Sequence, residues 1–236
     1  MRRRSSWARR RLRLRASVAK AAQSPCIYVL AGANGAGKSS IGGGAIRSEN
    51  GDAWLNPDQA ARRIRERNPS LSQEQANGAA WLEGTRLLER AIDERVSFAF
   101  ETTLGGRTIP GLLDRALATG IEVRVWYVGL TSPELHIARV RRRVASGGHD
   151  IPEERIRYRY DRSRLNLIHL LPALTALWVY DNSDDADPQK GAAPEPLLVL
   201  QMARGKIVDA CDLTITPGWA KPIVAAAIRA QRAPRR

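Results

Sequence analysis

Residues 32–40 read Gly-Ala-Asn-Gly-Ala-Gly-Lys-Ser-Ser, directly after the apolar run Cys-Ile-Tyr-Val-Leu-Ala at 26–31. The stretch fits G-x-x-x-x-G-K-[ST] at every fixed position: Gly32, Gly37, Lys38 and Ser39. It comes after a strand-like segment and opens a helical one. That setting is what a phosphate-binding loop requires, because glycines let backbone N–H groups curl around phosphate oxygens and the helix N-terminus adds a favourable dipole. Gly32, Ala33, Asn34, Gly35, Ala36, Gly37, Lys38, Ser39 and Ser40 are therefore expected to hold a nucleoside triphosphate, read as ATP. Lys38 would reach the β- and γ-phosphates, and the Ser39 hydroxyl would bind Mg2+. Motors, switches and kinases all use such a loop, so the acceptor side must be read from the rest of the chain.

The chain has 236 residues, 43% of them hydrophobic, enough for one sizeable core. Its net charge of +14 is unevenly placed. Residues 1–24 carry eight Arg and one Lys without an acid, and residues 225–236 carry four Arg without an acid. The middle, 25–224, is close to neutral, with 25 basic and 24 acidic residues. The expected organisation is a basic disordered arm (1–24), a catalytic domain (25–224) and a basic tail (225–236). The arm lacks the apolar segment of a secretory signal, and no stretch is long and apolar enough to span a membrane. Cys26 and Cys211 are read as buried thiols in a reducing cytoplasm rather than as a zinc site.

Strand-like runs at 26–31, 53–56, 97–102, 122–130 and 177–182 alternate with helical patterns near 38–48, 58–67, 73–95, 108–119, 133–145 and 153–170. This alternation predicts an α/β domain, a five-stranded, mostly parallel sheet with helices on both faces; with the phosphate loop at 32–39 it reads as a P-loop NTPase/kinase fold. Two further strands around Arg204-Gly205 are expected to form a C-terminal β-hairpin, and 185–196 reads as a surface loop.

Several polar groups then fall at the carboxyl ends of strands, where open parallel sheets place ligands. Asp58, in "WLNPDQAARRI", suits a general base that takes a proton from an acceptor hydroxyl. A helix N-cap at Asn56 or Asp58 explains the same residues equally well. Glu101, Thr102 and Thr103 end the apolar strand "FAFETT". Glu101 could hold Mg2+ through water or grip the acceptor, or it could be a plain strand-end acid. Residues 134–164 hold nine Arg against five acids, around the flexible sequence Ser-Gly-Gly-His-Asp at 146–150. Arg139 and Arg143 are one turn apart, as are Arg155 and Arg159. This segment reads as a lid whose arginines close over a transferring phosphoryl group, with some of the nine solvated or paired to Glu153, Glu154 and Asp161. His149 reads as structural or substrate-touching. Asp181, Asn182 and Ser183 either line an adenine pocket or make a turn.

Taken in order, "GANGAGKSS", "NPD", "FETTL", "SPELHIARVRRRVASGGHDIPEERIRYRYDRSRLNL" and "YDNS" resemble the zeta-toxin family of P-loop kinases over about residues 25–205. The resemblance implies a phosphotransferase in which Lys38 grips phosphate and Asp58 deprotonates a sugar hydroxyl. Glu101 with Thr102 or Thr103 would contact the acceptor, and the lid arginines would come from Arg139, Arg143, Arg159 and Arg162. It further implies UDP-N-acetylglucosamine as a first acceptor, other nucleotide-type acceptors in related members, and a toxin role with a protein antitoxin as partner. An alternative from a different class is a nucleic-acid-associated NTPase or binding module that uses the Arg-rich tails. Removal of residues 1–24 separates the two, because a tail-dependent binder would lose its affinity and its steep salt dependence.

Overall fold

The computed structural model describes residues 24–38, 54–184 and 195–232. Ser39 and Ser40, the helix expected to run on to 48, most of the basic arm, the 185–194 part of the surface loop and residues 233–236 lie outside the described residues.

β1 (Cys26–Ala31) is buried along its whole length, as expected for a parallel strand covered on both faces. It lies between β2 (Phe98–Thr102) and β3 (Glu122–Gly129), both parallel to it, and β4 (Ala176–Asp181) runs parallel to β3. β5 (Leu197–Ala203) and β6 (Lys206–Ala210) join antiparallel on the β4 side, so the sheet order is β2-β1-β3-β4-β5-β6. Arg204 and Gly205 in the connecting turn have φ of 47° and 73°, the left-handed pair that tight hairpin turns use. The α/β class and the C-terminal hairpin are as expected from the sequence. One strand is not: 53–56 contributes only a single parallel bridge, Leu55 to Phe100. The reason is local. Asn56 caps a helix, α1 (Pro57–Arg67), with Pro57 in its first turn, so the chain leaves the sheet after one paired residue.

Alternating side chains divide the core. Ile27, Val29 and Ala31 pack with Leu88 and Ile92 of α2 (Gln73–Asp93) and with Leu113 and Ala116 of α3 (Thr108–Ala118). Between β3 and β4 run α4 (Pro133–Ala145) and α5 (Glu153–Leu170), and α5 adds Leu167 and Leu170 to that side. Tyr28 and Leu30 face the other way, with Ala99, Trp126 and Val128. There the Trp126 and Trp178 rings stack 4.5 Å apart.

The expected basic tail begins too early at 225. Residues Lys221–Arg232 form a helix, α6, whose Ile223, Val224, Ala226 and Ala227 are buried in the main core. Trp219, just before it, packs against Gly129, where an added Cβ would meet the indole at 2.3 Å. The arginines at 229 and 232 are the outer edge of an amphipathic helix.

Gly111 is exposed within α3, and a Cβ there would meet nothing within 4 Å. Gly111→Ala is expected to stabilise the chain by about 0.5–1 kcal/mol through the lower backbone entropy cost of alanine, read as a higher urea midpoint at unchanged slope.

Candidate active site

The parallel register builds the site. Leu30 pairs with Glu101 and Ala31 with Thr102, so the end of β2 lies one strand away from the phosphate loop. The Leu55 bridge is closed by hydrogen bonds from Leu55 N to Ala99 O and from Glu101 N to Leu55 O, which brings Asn56 beside Glu101.

The loop itself is shaped for close approach. Gly32, Gly35 and Gly37 have φ of 140°, 82° and 81°, which side-chain-bearing residues rarely adopt. A Cβ on Gly32 would sit 2.2 Å from Val128 O, and one on Gly35 would sit 2.7 Å from His136 O. Lys38, only 7% exposed, donates to Gly32 O at 2.8 Å and Ala33 O at 3.3 Å, and lies 3.4 Å from Glu101 Oε1. Asn56 Nδ2 donates to Glu101 Oε2 at 2.9 Å. Glu101 is thus tied into the phosphate loop and is not a plain strand-end acid.

The cap question is also resolved. Asn56 Oδ1 accepts from Gln59 N at 3.1 Å, so Asn56 is the N-cap and the Asp58 carboxylate is left over. Asp58 lies in the first turn of α1 with its side chain 57% exposed. It is 3.7 Å from Arg143 Nη1 and 3.9 Å from His149 Nε2.

These residues line one cavity of about 1110 Å³, above the roughly 300–1,000 Å³ usual for small-ligand sites. It gathers Lys38, Asp58, Glu101, Thr102, Thr103, Arg143, His149 and Arg159. Two expected lid arginines are not among its lining residues. Arg139 donates to Ser183 O and Asp184 O, and Arg162 has a buried Nε without a hydrogen-bond partner. Arg155, one turn before Arg159 on α5, does line it. Other arginines of the lid are engaged elsewhere: Arg141 with Glu153, Arg157 with Glu134, and Arg164 with Asp161 and Trp219 O.

Arg159 links lid and phosphate loop by donating to Asn34 Oδ1 at 2.8 Å. It passes over Gly105, where a Cβ would meet Arg159 Cγ at 2.7 Å. Burial and the neighbouring Arg155 lower its pKa, with Asp58 opposing. A cation so desolvated and incompletely balanced suits an anionic ligand. The turn after β2 is held in place: Leu104 has φ of 55°, its N–H donates to Thr102 Oγ1 at 3.0 Å, and its carbonyl accepts from Asn166 Nδ2 at 2.7 Å.

His136 carries no motif that marks it in the sequence. It is buried on α4, and its Nδ1 lies 2.7 Å from Asn34 O; a carbonyl only accepts, so Nδ1 carries the proton. Burial chiefly pushes its pKa down to about 4; Lys38, Arg139 and Arg164 add to the lowering and the Asn34 contact opposes it. The folded state therefore keeps His136 neutral where an unfolded chain is protonated. Stability is unaffected above the unfolded pKa near 6.5 and is lost as pH falls from there towards 4. Between pH 7.5 and 5 the loss is expected to be about 2 kcal/mol, read from urea midpoints. His136→Asn, which keeps a donor, should flatten that dependence.

Asp181, expected beside adenine or in a turn, is spent inside the protein. Its oxygens accept from Trp219 Nε1 at 2.8 Å and Ser183 N at 2.6 Å. Asn182 Nδ2 donates to Ala36 O at 2.9 Å, which supports the phosphate loop from behind. Cys26 is buried and Cys211 half-buried, neither in a disulfide, and no helix among the described residues is long and apolar enough to cross a membrane.

The zeta toxin family model matches residues 11–186. An uncharacterized protein of Haemophilus influenzae is 36% identical over 132 residues, which is 55% of this chain and 88% of that protein. Among solved structures, the AvrRxo1-ORF1:AvrRxo1-ORF2 complex with ATP superposes with a TM-score of 0.61 at 16% identity, covering 86% of this chain and 64% of that one. The same complex with sulphate ions gives 0.61 at 15% identity over the same shares. The PezAT chromosomal toxin–antitoxin system of Streptococcus pneumoniae gives 0.52 at 16% identity, covering 80% of this chain and 77% of that one. At these identities the structural likeness speaks for the fold. The chain spans just under two thirds of the AvrRxo1 complex chains it matches.

Proposed function

The chain belongs to the zeta toxin family, and from that premise we propose that it is an ATP-dependent phosphotransferase acting on a hydroxyl of a small nucleotide-type metabolite. The first candidate acceptor is UDP-N-acetylglucosamine. One observation carries the reading: Lys38 of the phosphate loop, the uncapped carboxylate of Asp58 and the arginines 143, 155 and 159 open on a single cavity. A hydrolase would have little use for so large an acceptor space beside the phosphates.

The positive-φ glycines of the loop, Gly32, Gly35 and Gly37, and the three-way engagement of Lys38 fit a triphosphate. Ser39 and Glu101, a hydroxyl and a carboxylate, are oxygen donors of the kind Mg2+ accepts; that ion would neutralise phosphate charge. The chain's own residues do the rest. Asp58 takes the acceptor's hydroxyl proton. The freed oxygen bonds to the γ-phosphorus as the bridging P–O bond to the β-phosphate breaks, leaving ADP and a phosphorylated acceptor. Arg143, Arg155 and Arg159 offset charge on the transferring group. Thr102 and Thr103, on the turn fixed by Asn166, hold the acceptor together with Glu101.

The AvrRxo1 structure with ATP supports the choice of donor, and the PezAT system supports a toxin role with a protein antitoxin as partner. The test is a label-transfer panel: γ-labelled ATP with nucleotide sugars, dinucleotides and nucleosides, resolved by chromatography. Label is expected on a nucleotide-type acceptor. Label released only as inorganic phosphate across the panel would refute the proposal.

A further inference from the structure

The cavity also has lining residues that the transfer step leaves unused. α2 turns one face into it: Gln73, Asn77, Ala80, Trp81, Gly84 and Thr85, spaced as a single helical stripe. Ala80 and Thr85 are buried and Gly84 packs close against Leu55, whereas Gln73, Asn77 and Trp81 bring two amides and one large ring to the cavity. Trp81 is 50% exposed, and Tyr158 of α5, in the same lining between Arg155 and Arg159, is 56% exposed. Among the described residues these are the two aromatic side chains found with the exposed large hydrophobics. Both fall in one cavity, on different helices.

The surroundings fit a planar ring with polar edges. Gln73 is fixed by accepting from Arg65 Nη1 at 2.9 Å and donating to Asn77 Oδ1 at 2.9 Å. Asn77 Nδ2 keeps its donors for a ring carbonyl or ring nitrogen. Gly78, beside it, leaves open space where a Cβ would stand. Thr85 Oγ1 donates to Trp81 O at 2.9 Å, which holds the helix turn that carries the indole.

We infer that Trp81, assisted by Tyr158, is a stacking subsite for the heteroaromatic base of the acceptor, and that Asn77 reads an edge of that base. The inference rests on the phosphotransferase reading for its occupant. It makes the base the main source of acceptor affinity, with Asp58 facing the acceptor's hydroxyl.

Equilibrium binding tests it without requiring turnover. The protein is saturated with a non-hydrolysable ATP analogue and titrated calorimetrically with AMP, GMP, UMP and CMP, with ribose 5-phosphate as the base-free comparator. At least one nucleotide is expected to bind tenfold to a hundredfold more tightly than ribose 5-phosphate, the range that base–aromatic stacking provides. Trp81→Ala should abolish that gap, Trp81→Phe should keep most of it, and affinity for the ATP analogue should not change in either variant. Tyr158→Ala should narrow the gap. Four nucleotides that bind no better than ribose 5-phosphate, or a gap that survives Trp81→Ala, would overturn the subsite. Because both helices leave these rings half exposed, the variants are expected to fold. A failure of the transfer reading would appear in the label panel and not here.

Discussion

Asp58→Asn is expected to lower phosphoryl transfer roughly 10²–10⁴-fold, the range lost with a general base, while ATP affinity stays within about twofold. The structure makes this substitution unusually clean. Asn56 caps α1, so the helix start does not depend on residue 58. The Asp58 carboxylate touches the lid only through Arg143 at 3.7 Å and His149 at 3.9 Å, with its side chain 57% exposed; pairs of this kind contribute about 0–1 kcal/mol. Asparagine keeps shape and polarity and loses the negative charge and basicity that let the carboxylate take a proton. Single-turnover transfer and nucleotide titration, run on the same preparation, separate the two effects. A variant that transferred at the parent rate would remove Asp58 from the chemistry.

Lys38→Met is the second large effect, with transfer expected to fall by roughly 10³-fold or more, as when a charged donor to the reacting phosphate is removed. ATP binding should weaken with it, unlike in the Asp58 variant. A structural consequence accompanies the chemical one. Lys38 is the cation beside Glu101, whose side chain is 15% exposed, and Asn56 Nδ2 alone would remain on that carboxylate. Removing one partner of a buried pair leaves an uncompensated charge, so the melting temperature should fall as well. The double variant Lys38→Met, Glu101→Gln should recover much of the melting temperature and none of the activity. Recovery of both would mean that the lysine only holds the fold.

The phosphate loop and the order of elements were legible because each is written locally. The glycines and Lys38 sit at fixed spacing, and helices such as α4 and α5 begin and end where their Pro133 and Glu153 patterns place them. The assignments that depended on three-dimensional pairing were harder to read. Spacing alone could not divide the capping role between Asn56 and Asp58; only the Gln59 N–H, aimed at Asn56, does so. Nine arginines crowd one stretch, and their sequence says nothing about which acids face them. Arg141 and Arg157 turn to Glu153 and Glu134, while Arg143, Arg155 and Arg159 turn inward. Helical spacing did pair Arg155 with Arg159, which was the available signal for Arg155. Arg139 and Arg143 share a face by the same rule, yet Arg139 reaches the Ser183 and Asp184 carbonyls instead. The C-terminal helix was hidden by its charges, although Ile223, Val224, Ala226 and Ala227 carry the helical period. Trp81 was hidden for the opposite reason: in a leucine-rich helix it looks like one more apolar residue until its exposure into a cavity is seen.

The most direct test of transfer to an acceptor is stoichiometric. With the acceptor identified by the label panel, ADP, inorganic phosphate and phosphorylated acceptor are quantified in one reaction against acceptor concentration. A phosphotransferase should form ADP faster as acceptor is added, with each added ADP matched by one phosphorylated acceptor and free phosphate unchanged. ADP matched by free phosphate at every acceptor concentration would contradict it, leaving a nucleotide hydrolase whose large cavity plays no part in the reaction.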